Sequence, residues 1–548
     1  MNRSDVLRHM AAASPDGGAL SRRTLVKLAG ATLGAGAAMS LLTAWGQIPV
    51  PGQTSPPELS QNGKGTKVVV IGAGPGGCPA AWELVKAGYD VTVIEARDRL
   101  GGHAFTVRGG SKTMEYGKGE QVCTWDDPDM WYDAGPSRIP FYHRGFFHYA
   151  QEFNIPLITH QNLNLNGWVY AEGIDGPLNK KRMRLHEMQA DMAGYTAELL
   201  AKSVDQGSLD DTVTEDDREL FLQYLINWGI LSKDDLKYEV SDHRGYTRAP
   251  DAFSPGEIAD PYPLADLIPF AASTLGMSGG YLAATATFDW QTTLVKPKEG
   301  VSQLYEQGFK QALGDRVHLN CEVTEIRQDD NGVRIVYTNK ETGQTEEATG
   351  DYCLCNIPLS VLIKIDTDFS EEFDTAIRSV PYAMASRTGL GFNRRFWEED
   401  DWIYGGQSFS NIPELGIIDY PDSEYGHKKG AILCGYNFGT NAARVSSLSF
   451  DDRVNLMLDY GSRVHPDMKK DFQSGFSVAW HLEPYSLGAW PTYTPKSRAE
   501  AFPVLQEPDG RVYLVGEHLS YVNAWMEGAV QAAWMQVAKL DKRVAQGG

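Results

Sequence analysis

Arg138 lies in the stretch Asp133-Ala134-Gly135-Pro136-Ser137-Arg138-Ile139-Pro140, where a glycine and two prolines frame a single guanidinium. A guanidinium is always charged, is planar, and can hold a carboxylate through two parallel hydrogen bonds. The alternative is a structural arginine in a surface turn. A second set of residues points to a larger, phosphate-bearing ligand. Gly72, Gly74 and Gly77 have the GxGxxG spacing within Gly72-Ala73-Gly74-Pro75-Gly76-Gly77. Glu95 follows about twenty residues later, where a carboxylate reaches a ribose hydroxyl. Gly72 permits the tight turn, Gly74 lets backbone approach a pyrophosphate, and Gly77 lets helix pack on strand, while the helix N-terminus offers unpaired N–H groups to the phosphates.

The elements that must position these groups are readable from the apolar pattern. Lys67-Val68-Val69-Val70-Ile71 predicts a strand, Ala80-Ala81-Trp82-Glu83-Leu84-Val85 a helix, and Val91-Thr92-Val93-Ile94 a second strand ending at Glu95. Together they make a dinucleotide-binding unit, a more specific signal than glycine spacing alone; the plain alternative is an ordinary βα turn. Leu185, Met188, Met192, Tyr195 and Leu199 fall at helical spacing. Thr214-Glu215-Asp216-Asp217 ahead of Leu220, Phe221, Tyr224 and Leu225 predicts a capped second helix, and both stripes read as core. Asp242-His243-Arg244-Gly245-Tyr246 is a loop that would either line a substrate entrance or serve structure alone. A further helix is expected from Lys296–Leu304, and Asp330-Asn331-Gly332 predicts a hairpin between Val317–Ile326 and the alternating Val333, Ile335 and Tyr337.

At 548 residues the chain has room for two or three domains. Acidic residues outnumber basic ones, 71 to 50, for a net charge of −21, which argues against duplex nucleic acid or an anionic membrane surface as partner. Cys78, Cys123, Cys321, Cys353, Cys355 and Cys434 show no zinc spacing and no CxxC, and read as buried thiols; no metal site is expected. Ser21-Arg22-Arg23-Thr24-Leu25, leading into the weakly apolar run Leu28–Trp45, resembles a bacterial twin-arginine export signal. The alternatives are an ordinary amphipathic start or a single anchor helix. Residues 47–65, with four prolines, read as a linker.

From Glu95 onward the chain resembles the flavin amine oxidase superfamily. Glu95-Ala96-Arg97 and Gly101-Gly102-His103 match its acid, nearby arginine and double-glycine turn, with His103 where arginine is usual. Gly135–Pro140 resembles the GPMRLP segment of its L-amino acid oxidases, with Ser137 replacing methionine. The resemblance implies that Pro136, Ser137 and Arg138 border the cofactor and that the backbone of Val323 meets adenine. It places Arg387 where a lysine normally positions a water near the flavin; an arginine could hold water too, but not act as a neutral base. Tyr436 would meet the substrate carboxylate beside Arg138, or else be a packed strand tyrosine. Trp480, Tyr485, Gly488, Ala489 and Trp490 resemble the family's aromatic approach to the flavin, and Gly516-Glu517 is its GE pair. Ala524-Trp525-Met526 opens a long helix whose N-terminus would stabilise negative charge at the isoalloxazine carbonyl edge on reduction.

These readings combine into an α/β (α+β) protein: a Rossmann-type FAD-binding domain, a mixed-sheet substrate-binding domain and a helical subdomain. The expected divisions are a twin-arginine-type signal at 1–46, a linker at 47–65, the FAD-binding domain at 66–137, 297–366 and 476–545, the substrate-binding domain at 138–179 and 367–475, and the helical subdomain at 180–296. By resemblance the activity is FAD-dependent oxidative deamination of L-amino acids, with dioxygen as electron acceptor and 2-oxo acid, ammonia and hydrogen peroxide as products. Arg138 and Tyr436 would anchor the carboxylate, Trp490 and Trp525 would shape the site and exclude water, and the amine would react in its neutral form. No cysteine lies near the C-terminal flavin motif, so the FAD is expected to be non-covalent. The alternatives are a mono- or polyamine oxidase, a decarboxylating amino acid monooxygenase, or a flavin-binding protein without turnover. Trp490 and Phe141 suggest room for apolar or aromatic side chains. A homodimer is common in the family, and the expected location is periplasmic or secreted, with the cytoplasm as alternative.

Overall fold

The run Lys67–Ile71 forms the middle strand of a five-stranded sheet ordered Val317–His318, Asp90–Ile94, Lys67–Ile71, Tyr352–Cys355, Val512–Leu514, with every pair parallel. Its unbroken apolar character is what a strand covered on both faces requires. Val68 and Val70 enter a core with Leu84 of helix Gly77–Lys86, Tyr149 of Arg144–Glu152 and Trp534 of Met526–Ala545. Val69 and Ile71 enter another, with Ile326 and Ile335 of the hairpin strands and Leu505 of Pro495–Leu505. Each fully buried valine or isoleucine contributes about 1.5–3 kcal/mol.

The computed structural model describes residues 55–60, 63–208, 214–275, 287–290 and 293–547. The chain divides into Met1–Glu58 and the unit Leu59–Gly548, which holds all the elements described here. The twin-arginine segment lies outside the described residues. Among the described residues no helix is long and apolar enough to cross a membrane.

A second, seven-stranded sheet has the order Lys181–Arg184, Trp168–Ala171, Gln407–Ser410, Ile417–Asp419, Gly430–Phe438, Ala385–Phe392, Phe472–Ala479. One face carries Leu390, Ile432 and Cys434 against Val454 and Met457 of helix Phe450–Val464. Leu433, Phe476 and Val478 pack instead on Phe105, Trp125 and Tyr132. Helices Leu185–Asp205 and Leu264–Leu275 pack on Val169, Ala171 and Phe409 through Met188, Leu267 and Phe270.

Several expectations change at this level. Ile139, Phe146, Tyr149 and Ile155 share the core of Val68 and Val70, so residues 139–155, assigned above to the substrate-binding part, pack on the dinucleotide-binding layer. The segment from Lys296 ends a strand, Leu294–Pro297, before a helical turn begins at Leu304. The helical stripes exist, with Thr214 capping Asp217 N–H, yet Leu199, Leu220 and Tyr224 are more than half exposed; periodicity marks a face but not what covers it. His243 is exposed on a short turn that does not reach the cavity, while Arg244 is buried on Asp191 at 2.9 Å. Phe141 is also exposed and outside the cavity wall. All six cysteines are free and buried.

Candidate functional site

A cavity of about 500 Å³ opens at the carboxyl ends of the parallel strands, where open α/β sheets bind ligands. Gly72 follows strand Lys67–Ile71, Glu95 follows Asp90–Ile94, Asn356 follows Tyr352–Cys355, and Gly516 lies two residues beyond Val512–Leu514; all four line the cavity. Gly72 turns with φ +88°, and a Cβ on Gly77 would stand 1.8 Å from the Gly72 carbonyl oxygen. Gly77 is absent from the cavity wall, because its part is to let the helix sit on the turn, and Gly488 is absent from it as well. Oriented to satisfy both its groups, the Asn356 amide donates to Val515 O (3.1 Å) and accepts from Gly77 N–H (3.2 Å), tying turn and neighbouring strands together. A Cβ on Gly135 would meet His103 O at 1.7 Å, which holds the Gly135–Arg138 turn against the double-glycine loop.

Glu95 is buried and already accepts from Ala73 N–H (2.7 Å) and Arg97 N–H (2.8 Å), so it shapes the glycine turn as well as facing the cavity. Arg97 reaches Glu483 (2.5 Å) and Ser486 (2.9 Å), and Ala96 and Gly102 complete this wall. His103 lies 3.1 Å from Gly488 O and against the Trp480 ring. Burial, with Arg97 nearby, lowers its pKa to about 4, so it supplies no cation where an arginine would. Val323 lines the same cavity beside a bulge in its strand.

At the opposite end Pro136, Ser137 and Arg138 meet residues of the second sheet. Arg387 and Tyr436 are direct partners across adjacent antiparallel strands, which puts them on one face, and the guanidinium lies 3.9 Å over the Tyr436 ring. Arg387 Nη1 donates to Asp133 O (2.8 Å). Arg138 is 6% exposed, stacks at 3.9 Å on Trp290, and makes no hydrogen bond to any described residue; its Nε is buried without a partner. Burial lowers its pKa to about 10, with Tyr436 and Asp419 supporting the charge and Arg387 opposing it. An aromatic wall runs outward from Tyr436 through Phe438 (4.2 Å) to Trp490 (5.6 Å). Trp480 is fixed by donating to Ala134 O at 2.8 Å.

The C-terminal return closes the cavity. Glu517 accepts from Ala524 N–H (2.7 Å), and burial lifts its pKa to about 8. Ala524 has φ +64°, unusual for a residue with a Cβ, and places Trp525 on the wall just before helix Met526–Ala545 begins. Trp525 packs edge-on against His143. Burial holds the pKa of His143 at about 4 and of His518 at about 3. Both imidazoles charge more readily in the unfolded chain, so their contribution to stability is present above the usual histidine pKa and is lost as pH falls below it. Below about pH 6.5 each such group is expected to cost roughly 1.4 kcal/mol per pH unit, Glu517, with its raised pKa, offsetting one of them, so thermal melts between pH 7 and 5 should fall. His143→Gln is expected to flatten the curve.

Sequence reasoning overlooked Trp290, Asn356, Tyr382 and Phe438, all on the cavity wall. Only Asn356 had a readable signal, as the residue ending an apolar strand that pairs beside the glycine turn. Cradle and wall suit an extended cofactor with a phosphate-bearing middle: side-chain-free backbone at the turn, N–H groups at a helix start, and aromatic rings at one end.

Residues 77–540 match the family described as flavin containing amine oxidoreductase. The chain is 27% identical to the L-amino-acid oxidase BmooLAAO-I of Bothrops moojeni, over 87% of this chain and 90% of that protein. It is equally similar to YobN of Bacillus subtilis strain 168, which carries the L-amino-acid oxidase name provisionally, over 85% and 92% of the two chains. Among solved structures, cyclohexylamine oxidase from Brevibacterium oxydans has the same fold with a TM-score of 0.56 at 17% identity, covering 88% of this chain and 99% of that one. Wild-type putrescine oxidase bound to putrescine gives 0.55 at 17% identity, over the same shares. With a family match that covers well over half of its length, the chain belongs to the flavin-containing amine oxidoreductases.

Proposed function

We propose that the chain oxidises L-amino acids, using non-covalently held FAD and dioxygen, to 2-oxo acid, ammonia and hydrogen peroxide. The observation that supports this most is Arg138: a guanidinium taken out of water without a hydrogen-bond partner is costly unless a ligand supplies the anion. The substrate carboxylate fills that need, held by Arg138 with Tyr436 beside it. When bound, the flavin accepts a hydride from Cα and later passes its electrons to dioxygen. The protein orients Cα–H by fixing the carboxylate, and Trp490, Trp525 and Trp290 narrow the space and exclude water. Arg387 contributes charge and a fixed donor, not a base. FAD would lie along Gly72, Gly74, Glu95, Ala96, Arg97, Gly102, His103, Val323, Trp480, Gly516, Glu517, Ala524 and Met526.

Anaerobic mixing of the flavin-loaded protein with L-amino acids, their D-isomers and the matching amines tests the reading. Bleaching of flavin absorbance by L-amino acids, with peroxide and 2-oxo acid on admitting air, is the expected result. Bleaching by amines alone would assign an amine oxidase, amide product would assign a decarboxylating monooxygenase, and no bleaching at all would leave a flavin-binding protein.

A further inference from the structure

Beside Ser137 lies a second, smaller space of about 40 Å³, walled by Trp131, Asp133, Ser137, His160, Lys296 and Asp419 among others. Ser137 lines the main cavity as well, and its hydroxyl makes no hydrogen bond to any described residue. Asp419 gives one oxygen to Gln407 Nε2 (2.8 Å); its other oxygen accepts no hydrogen bond from the described residues. Lys296 pairs with Asp422, and His160 Nδ1 lies 3.3 Å from the same carboxylate. His160 is 4% exposed and its Nε2 has no partner. Asp133 accepts from Thr106 and Val301, and its carbonyl from Arg387. Arg138 and Arg387 line the main cavity, Asp133, His160, Lys296 and Asp419 line the chamber, and Ser137 lines both. Polar groups left without partners beside a space this size are met by water; at about 10–15 Å³ per molecule the chamber holds about three.

The reaction gives this chamber a task. An ammonium nitrogen has no lone pair to support the positive charge that forms as hydride leaves Cα, so one proton must go first. Arg138 and Arg387 favour its departure by repulsion. They cannot receive it, and neither can the indoles of Trp290, Trp490 and Trp525, because all of these groups only donate. The carboxyl groups on the main cavity's wall are engaged: Glu95 by Ala73 and Arg97, Glu322 by Tyr485, and Glu517 by the proton that burial keeps on it.

We propose that the chamber is the exit for the substrate's ammonium proton, with Ser137 bridging from the main cavity and Asp419 as the first carboxylate to receive it. The inference rests on the site acting on an ammonium-bearing substrate. R–NH3+ and the Asp419 carboxylate become R–NH2 and the Asp419 carboxylic acid, relayed through the Ser137 hydroxyl and chamber water. No electrons move in this step. Asp419 then returns the proton to bulk water past Lys296 and Asp422. Asp419 and Ser137 are positioning residues in this scheme, acting through the relay.

The test is anaerobic stopped-flow reduction of the flavin by L-leucine, in H2O and D2O, for the unaltered protein, Asp419→Asn and Ser137→Met. The amide introduced by Asp419→Asn can keep the Gln407 hydrogen bond, and the methionine of Ser137→Met closes the bridge without touching Asp419. In the unaltered protein the proton leaves quickly and D2O does not change the rate. Both variants are expected to reduce about 100-fold more slowly at pH 7, the low end of what a positioned proton acceptor contributes. They should also gain a solvent isotope effect while the Cα-deuterium effect shrinks, since proton exit now limits. Unchanged rates and isotope effects in both variants overturn the proposal. If only 3-methylbutylamine reduces the flavin, the carboxylate reading has failed; the same comparison then proceeds with that amine, whose ammonium must lose the same proton. Independently of turnover, a crystal structure that resolves solvent is expected to show about three waters in the chamber, and a dry chamber would overturn the assignment.

Discussion

Replacing Arg138 by methionine is expected to lower kcat/KM for L-leucine by about a thousandfold, within the roughly 2–5 kcal/mol lost when one partner of a buried, hydrogen-bonded charge pair is truncated. The rate with 3-methylbutylamine should stay within a few fold. The difference would arise because the buried guanidinium makes no hydrogen bond to any described residue, so that on the proposed reading the bond lost is the one to the ligand's carboxylate. Arg138→Lys should recover little, since a point charge offers neither the two parallel hydrogen bonds nor the flat face that lies on Trp290. Equal losses for acid and amine would mean that Arg138 supports the cavity wall and recognises nothing. Steady-state kinetics with both substrates decides it.

Arg453→Met is expected to destabilise the protein by about 3–5 kcal/mol, the usual cost of leaving one member of a buried pair uncompensated. Arg453 holds Glu115 through two bonds, at 3.0 and 2.7 Å, and neither side chain touches solvent. Glu115 also accepts from Ala479 N–H (2.7 Å), the residue before Trp480, so the pair fixes the strand end that carries an indole into the cavity. Loss of the arginine should therefore lower the melting temperature and weaken flavin retention together. The double variant Arg453→Met with Glu115→Gln should regain much of the stability, because the stranded charge is gone. A double variant no better than the single one would show that the pair acts through packing.

How much of this was legible beforehand follows the range of the interactions. The βαβ unit is local: its strand, glycine turn, helix and acid lie within thirty residues, and their types follow directly from backbone geometry and burial on both faces. Arg138 was legible because its frame of glycine and prolines is local too. Arg387 and Tyr436 were reached only through resemblance, since their register depends on two strands meeting across the fold. Trp290 gave no signal: it sits on a short turn whose place against Arg138 is set by tertiary packing. The proton chamber draws on segments near positions 133, 160, 296 and 419, and no spacing rule connects them. The helical stripes show the reverse failure, where a correct period placed Leu220 and Tyr224 in a core that does not cover them.

The six thiols have one more consequence. Every one is buried, and burial raises the pKa of each above the ordinary thiol value, so almost none exists as the reactive anion near neutral pH. Hydrogen peroxide released by the proposed reaction would leave past sulfur held in its least oxidisable form. Working lifetime during turnover should then be limited by methionine and indole damage before cysteine damage, and a reducing agent should do little to extend it.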